Sequence, residues 1–374
     1  MVKLIEFTAD APATETPADG VLGFFAALTK IGVSNAIPNL KARLGAVVAG
    51  DTALPYVVSV EGGGKGYVGS FTRMYMDGAA DELGSSKNAL LRFAAPGVAV
   101  SGHAARALGM DDIVTINNNL HSTVHVPEWS GVDIGEMTAA LIAKYPRHAI
   151  WVRGMTDRLN VDDLARLKAQ DYVIAPSRPV EVLDPSVPDY KISSNLKKDF
   201  KKLERVPGMH TFSGAPFNDA DFAAMERFCH SATVERHTKL LPNYRADFFR
   251  ACANWSDCRI MGLRDETGAL RGFATLIIGK TRITCGTLGY DMSADDAKPI
   301  YPALSGMEMR EAINARLPFN IGYGAVEFKR VRGTVPAMEM NAFYIRHLPG
   351  VRRRLWSTTL SAMSRMADAV LKRL

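Results

Sequence analysis

Cysteine is scarce in this chain: Cys229, Cys252, Cys258 and Cys285 are the only 4 among 374 residues, and no two of them form a C-x-x-C pair. That count and spacing exclude a disulfide framework, a redox dithiol and a cysteine-built zinc site, and leave buried free thiols. No run of about 18 apolar residues occurs, so no membrane-spanning helix is expected. The opening Met1-Val2-Lys3-Leu4-Ile5-Glu6-Phe7 carries a glutamate inside its short apolar run and lacks the basic-then-apolar layout of a secretory signal, which points to the cytoplasm. With 47% hydrophobic and 22% charged residues the chain is excluded from the disordered class, and its length suits two or three domains.

Two tempting motifs fail on chemistry. The run Gly62-Gly63-Gly64-Lys65-Gly66 has no Ser or Thr after its lysine and leads into Tyr67-Val68-Gly69, which predicts a hairpin turn rather than a phosphate loop. His121 and His125 stand four apart, but Val124, Val126 and Pro127 favour a strand or loop and no glutamate accompanies them, so no metal site is expected.

What is present is an alternation of short helical and strand-like runs. The first twenty residues read as an extended lead-in. A helix is predicted over 21–30, a strand over 53–60, an amphipathic helix over 133–144, a strand over 149–153, a helix over 161–170 capped by Asn160, and two strands at 172–174 and 180–183. Asn117-Asn118-Asn119 is a polar turn suited to lining a first-domain cleft. Pro185 and Pro188 then mark a boundary, after which the pattern restarts. Helices are predicted over 195–205, from Asn218 or Asp219, over 244–255, and from 297 or 301 to 316; strands over 258–263, 271–278, 281–290 and 319–324. The tail beyond Pro349-Gly350 carries Leu355, Trp356, Leu360, Met363, Met366, Val370 and Leu374 at helical spacing and is expected to pack on the body.

The excess of +6 in formal charge gathers at two places, Lys197 to Arg205 and Arg346 to Arg354. Leu196, Phe200 and Leu203 form one apolar edge of the first, while Lys197, Lys198, Lys201, Lys202 and Arg205 load its other faces. Either stretch suits a phosphate backbone, although neither interleaves the aromatics of base readout. His230 and His237 lie two helical turns apart, and Arg236 and Arg245 suit a carboxylate or phosphate.

Two helices, an antiparallel meander, a helix and a further strand form an order that resembles the GNAT acyltransferase fold, and three stretches resemble its FemAB and BioF2-like branch. The run from Ser194 to Arg205 looks like the basic helix that opens that branch's second domain. Arg271-Gly272-Phe273-Ala274 and Leu288-Gly289-Tyr290-Asp291 look like its strand motifs. Ile321-Gly322-Tyr323-Gly324-Ala325-Val326-Glu327-Phe328-Lys329-Arg330 resembles its F-G-x-G-x-x-x-Y-K-R block, with phenylalanine before the lysine. The resemblance covers roughly 191–333. It implies a mixed α+β fold of two tandem GNAT-like domains, each a mostly antiparallel sheet flanked by helices, divided at 1–188 and 189–374, with the first shaping the acceptor site.

The resemblance also implies an N-acyltransferase in which an amine attacks an activated acyl or aminoacyl group directly. It places Lys329 where a lysine stabilises the developing oxyanion or a substrate phosphate. Asp291 and Glu327 are the nearest candidate bases, although Asp291 also suits a helix cap. Tyr290 and Tyr323 are placed to return the proton, and Tyr323, Arg236, His237 and Arg245 to meet substrate. GNAT enzymes hold the pyrophosphate of coenzyme A on a glycine-rich turn, because free N–H groups at a helix start bind anions. Here that junction reads Tyr290-Asp291-Met292-Ser293-Ala294-Asp295-Asp296-Ala297-Lys298-Pro299, with three aspartates and no glycine. Members of this branch also lack the turn and some use aminoacyl-tRNA, so the donor stays open between acyl-CoA and aminoacyl-tRNA, with Lys197, Lys198, Lys201, Lys202 and Arg205 as its candidate contacts. No tightly bound cofactor is expected, and the acceptor is the amine of a small molecule or peptide. The reading from another class is a non-catalytic RNA-binding or scaffold protein on a decayed fold of this kind.

Overall fold

The computed structural model describes residues 1–8, 20–203, 206, 208–214, 216–293 and 299–371. Arg205, Leu374 and the stretch 294–298, all named above, lie outside the described residues, as do most of the lead-in and the side chains of Met366 and Val370. Among the described residues there are twelve strands: β1 Val2–Glu6, β2 Leu40–Ala49, β3 Thr52–Gly64, β4 Ile113–Ile116, β5 Ala149–Thr156, β6 Val173–Leu183, β7 Met209–Ser213, β8 Cys258–Asp265, β9 Leu270–Ile278, β10 Ile283–Tyr290, β11 Phe319–Gly322 and β12 Val335–Tyr344. They join in one 12-stranded sheet of order β1-β2-β3-β4-β5-β12-β6-β11-β10-β9-β8-β7.

The order contains a repeat. In the first half β1 to β4 pair antiparallel in sequence, the helix Ile134–Lys144 crosses over, and β5 returns parallel to β4. In the second, β7 to β10 pair antiparallel in sequence, the helix Ile300–Ala315 crosses over, and β11 returns parallel to β10. The remaining ladders are antiparallel, so the expected mixed α+β fold in two tandem, mostly antiparallel arrangements is met. The sixth strand of each half is then exchanged. β6 lies between β11 and β12, and β12 lies between β5 and β6.

Local chemistry explains several boundaries. Asp133 accepts the Glu136 N–H and Asn218 forms a reciprocal cap with Asp221, each satisfying an orphan donor at a helix start. Two strand expectations need correction. The glycines at 62–64 do not form a hairpin turn; β3 continues through them as a bulge, its register jumping from Ala42↔Ser59 to Leu40↔Gly64. The two strands expected at 172–174 and 180–183 are one continuous β6. Pro176 and Pro179 are tolerated because the register skips Ser177, facing Glu339↔Arg178 and then Met340↔Pro176, and bulges accommodate missing ladder donors.

Cores form on both faces. The helix Gly20–Ile31 of the first half packs Phe24, Phe25 and Leu28 with Phe248, Phe249 and Trp255 of the second. The C-terminal helix Gly350–Leu371 buries Trp356 and Leu360 against Phe71, Trp151 and Phe343, as its pattern predicts.

Within β5 the register passes from Val152↔Ala342 to Met155↔Met340, so Arg153 and Gly154 share one partner position. Gly154 has φ +73°, and a Cβ there would meet Val124 Cγ2 at 2.0 Å. Gly154→Ala should therefore cost about 2–4 kcal/mol, from left-handed strain plus overpacking. Gly50, at φ +58° with nothing within 4 Å, supplies the control. Equal losses for Gly154→Ala and Gly50→Ala in urea unfolding would show that contact with Val124 contributes nothing.

Candidate active site

β10 and β11 are paired only at Ile283↔Phe319 and Thr284↔Asn320. Beyond that point β10 bulges between Cys285 and Leu288, β11 ends at Gly322, and the two strands leave a wedge between them. The helix Ile300–Ala315 covers it, burying Ile300, Ala303, Leu304, Met309 and Ala312. On the far side Thr123, from the loop that follows β4, closes it. A Cβ on Gly322 would lie 2.7 Å from Thr123 Oγ1 and 3.1 Å from Cys285 Sγ.

Four titratable groups face this wedge. Glu308 comes from the covering helix and is 4% exposed; burial pushes its carboxyl up to about 8, against the opposing pull of the Lys329 ammonium. Tyr301, two turns earlier, is raised to about 12 by burial and by the nearby Glu308 and Cys285. Cys285 is raised to about 11 by burial, so its thiol is no nucleophile at neutral pH. Lys329, 4% exposed, donates to the carbonyls of Ile321, Gly322 and Tyr323 at 3.1, 3.0 and 3.1 Å. An ammonium has three donors, and all three are spent tying down the end of β11. Burial lowers its pKa.

The other expected site residues fall into distinct places. Tyr290, half-buried at the end of β10, has its ring 6.3 Å from that of Tyr301, which places it at the edge of the wedge and not against Lys329. Asp291 accepts from the N–H and hydroxyl of Ser293 and lies 3.7 Å from Arg271 Nε, which makes it a turn and ion-pair residue. Glu327 is exposed on the short helix Val326–Arg330, and Tyr323 is 60% exposed. Arg236, His237 and Arg245 are exposed on the segment that meets the first half, where Arg245 N–H donates to the Ala36 carbonyl; the Arg245 guanidinium pairs with Glu226 at 2.7 Å. His230 bonds Asn243 at 3.1 Å.

Lys197, Lys198, Lys201 and Lys202 are exposed on the helix Ser194–Leu203. Its inward face carries Asp199, which takes a 2.6 Å bond from Arg332, and Phe200, whose carbonyl accepts from Arg310 of the covering helix at 3.0 Å. The basic face is thus fixed to the elements that build the wedge.

Two features escaped the sequence. Glu308 is one; its signal was a carboxylate four residues from both Leu304 and Ala312, on the apolar side of a helix. The other is the reach of the loop opened by Asn117-Asn118-Asn119, expected to line a cleft of the first domain, into the second half. His121 sits among Phe24, Tyr244, Phe248 and Trp255, pushed down to about 4 by burial, and Tyr244 Oη bonds the Leu120 carbonyl at 2.8 Å. His125 shares a 3.1 Å bond with Thr284 Oγ1. Among the described residues no group of side chains could hold a metal ion, and no helix is long and apolar enough to cross a membrane.

No family model matches the chain, and neither does any curated protein. Solved structures similar to it include the crystal structure of FemX, at 11% identity and TM-score 0.49, covering 95% of this chain and 99% of that one. A tandem GNAT protein from the clavulanic acid biosynthesis pathway is similar at 11% identity and TM-score 0.38, covering 91% and 98%. L-PGS from Bacillus licheniformis is similar at 16% identity and TM-score 0.38, covering 60% and 76%.

Proposed function

We propose that the chain is a cytoplasmic GNAT-type N-acyltransferase working at the wedge between β10 and β11, with residues 189–374 as the transferring half and 1–188 shaping the acceptor site. The observation that carries this reading is Glu308, a buried carboxyl that burial pushes up to about 8 close to Tyr301, Cys285 and the Lys329 clip, with Tyr290 against Tyr301. A general base works best with its pKa close to the working pH, and a carboxyl at about 8 can take a proton from an ammonium where an ordinary carboxylate cannot.

In the reaction, ionised Glu308 removes a proton from the acceptor amine. The nitrogen lone pair attacks the acyl carbonyl carbon, the new C–N bond forms, and the C–S bond of a thioester or the C–O bond of a tRNA ester breaks. Of the two protons an ammonium nitrogen loses on becoming an amide, Glu308 passes the first to solvent; the second, shed as the intermediate collapses, returns through Glu308 and solvent to Tyr290, which protonates the departing thiolate or alkoxide, so protons balance over the cycle. Lys329 holds the end of β11 in place, and one released carbonyl would free one of its donors for the oxyanion.

The test is to incubate the protein with an acyl-CoA in one tube and charged tRNA in another, supply amines, and ask by mass spectrometry which donor is deacylated. Release of acyl groups into an amide supports the reading. Inert protein that binds RNA tightly and with strong salt dependence supports the non-catalytic alternative instead. Asp291→Asn and Glu327→Gln serve beside Glu308→Gln, since a loss at either as deep as that at Glu308 would move the base there.

The donor has its own test in Lys197, Lys198, Lys201 and Lys202 changed together to Ala. With a tRNA donor, KM should rise about 10- to 100-fold near 0.1 M salt and its salt dependence should flatten, because four phosphate contacts carry a log–log slope of roughly −3. With an acyl-CoA donor, KM should move little.

A further inference from the structure

The exchange of β6 and β12 gathers a cluster of buried polar side chains on the central strands, apart from the wedge. Its centre is Arg153 on β5, 1% exposed. The guanidinium Nε and Nη1 have no hydrogen-bond partner among the described residues. Nη2 reaches only the thioether of Met74, at 3.9 Å, and the guanidinium lies over the Trp151 ring at 5.2 Å. No oxygen of a described residue answers this cation, although a buried charge is sustained only when paired.

The charged neighbours are committed elsewhere. Glu339 accepts from Arg178 Nε and Nη2 at 3.3 and 3.2 Å through Oε2, and from Ser177 at 3.2 Å through Oε1. Arg178 also bonds the Ser122 carbonyl at 2.8 Å. Two buried guanidiniums thus stand against one carboxylate, and the surplus positive charge falls on Arg153. Beside it Asn341, which faces the bulge at Arg153 and Gly154, donates to the Tyr75 hydroxyl but leaves its own Oδ1 without a partner. Tyr75 also shares a 2.8 Å bond with Ser177. Met74 and Tyr75 belong to a π-helical turn, Arg73–Asp77, a distortion that often marks functional sites, and both are half-buried, so Met74, which touches Arg153, is itself partly open to solvent.

We propose that Arg153 is the floor of a binding site for a compact oxyanion, the carboxylate or phosphate group of a small ligand, with Asn341 Oδ1 accepting an N–H or O–H carried next to that group and Met74 as the cover. An oxyanion supplies the acceptors and the counter-charge together, which water does not. A guanidinium with unspent donors is the protein group best matched to such an anion. The site does not depend on the transfer chemistry, and its failure would leave that reading untouched.

Thermal unfolding at constant ionic strength tests it, with chloride exchanged for lactate, acetate or phosphate. The wild-type midpoint should rise by a few °C with the logarithm of anion concentration, since a ligand that binds only the folded chain stabilises it by mass action. Arg153→Met should show no such rise. Asn341→Asp, which places a carboxylate beside Arg153, should raise the midpoint without ligand and abolish the response; it keeps the test open if Arg153→Met does not fold. Met74→Ala should lower the concentration needed for half of the effect. A response to lactate or acetate but not phosphate assigns a carboxylate, and the reverse assigns a phosphate. Identical responses in wild type and Asn341→Asp, or no response in wild type, would overturn the proposal.

Discussion

Glu308→Gln should lower kcat by about 10²–10³-fold while leaving donor binding nearly intact, because it removes a proton acceptor and keeps the shape of the side chain. The pH profile makes the test sharper. Wild-type kcat/KM should climb with pH to an inflection near 8, where Glu308 ionises, and that limb should vanish in the variant. The same carboxyl has a stability signature whose sign is fixed. Its folded value of about 8 lies above the ordinary 4.5, so between those values the folded chain binds the extra proton. Stability therefore falls as pH rises through that window, by at most about 1.4 kcal/mol per pH unit. Glu308→Gln lacks this dependence, so between pH 5 and 7.5 it should gain about 3 kcal/mol on wild type in urea unfolding. A parallel pH dependence in the two proteins would remove both the perturbed carboxyl and its role as base.

Lys329→Met should destabilise the chain by about 3–5 kcal/mol and abolish turnover with it. The side chain is buried, and its loss leaves the carbonyls of Ile321, Gly322 and Tyr323 without the donor they share. Lys329→Arg should not restore it, since a planar fork cannot aim three donors at carbonyls converging from one strand end. The paired readouts separate two roles. A lysine acting only on the oxyanion would lose kcat at unchanged urea midpoint; a clip loses both together.

Much of this arrangement was legible from residue order alone. The meander and crossover of the second half follow from apolar alternation and turn residues, whereas Lys329, which lies at the wedge, was reached only through the resemblance of the block ending in Phe328-Lys329-Arg330 to a family motif. β12 was not legible, because Pro336, Glu339 and Asn341 interrupt its apolar run, although it lies in the middle of the sheet. β6 was split by its two prolines for the same reason. Both strands break the rule for central strands where polar chemistry lies on them, at Arg178, Glu339 and Asn341. Glu308 was hidden in a helix read for its apolar face. Arg153 closed a recognised strand, but nothing in a single sequence distinguishes a buried arginine from one at the surface.

The exchange of strands also sets the order in which the protein can be made. β5 and β6 are complete once residue 183 has been synthesised, yet their common neighbour β12 ends at Tyr344. About 160 residues separate the two, on the order of 10–30 s of translation. Throughout that interval the nascent first half carries an open sheet edge at β5, bearing Trp151 and Arg153, and edges of this kind recruit other strands. Folding of the first half is therefore completed only after the second has emerged, and a chain interrupted before Val335 yields two unfinished sheets rather than one finished domain.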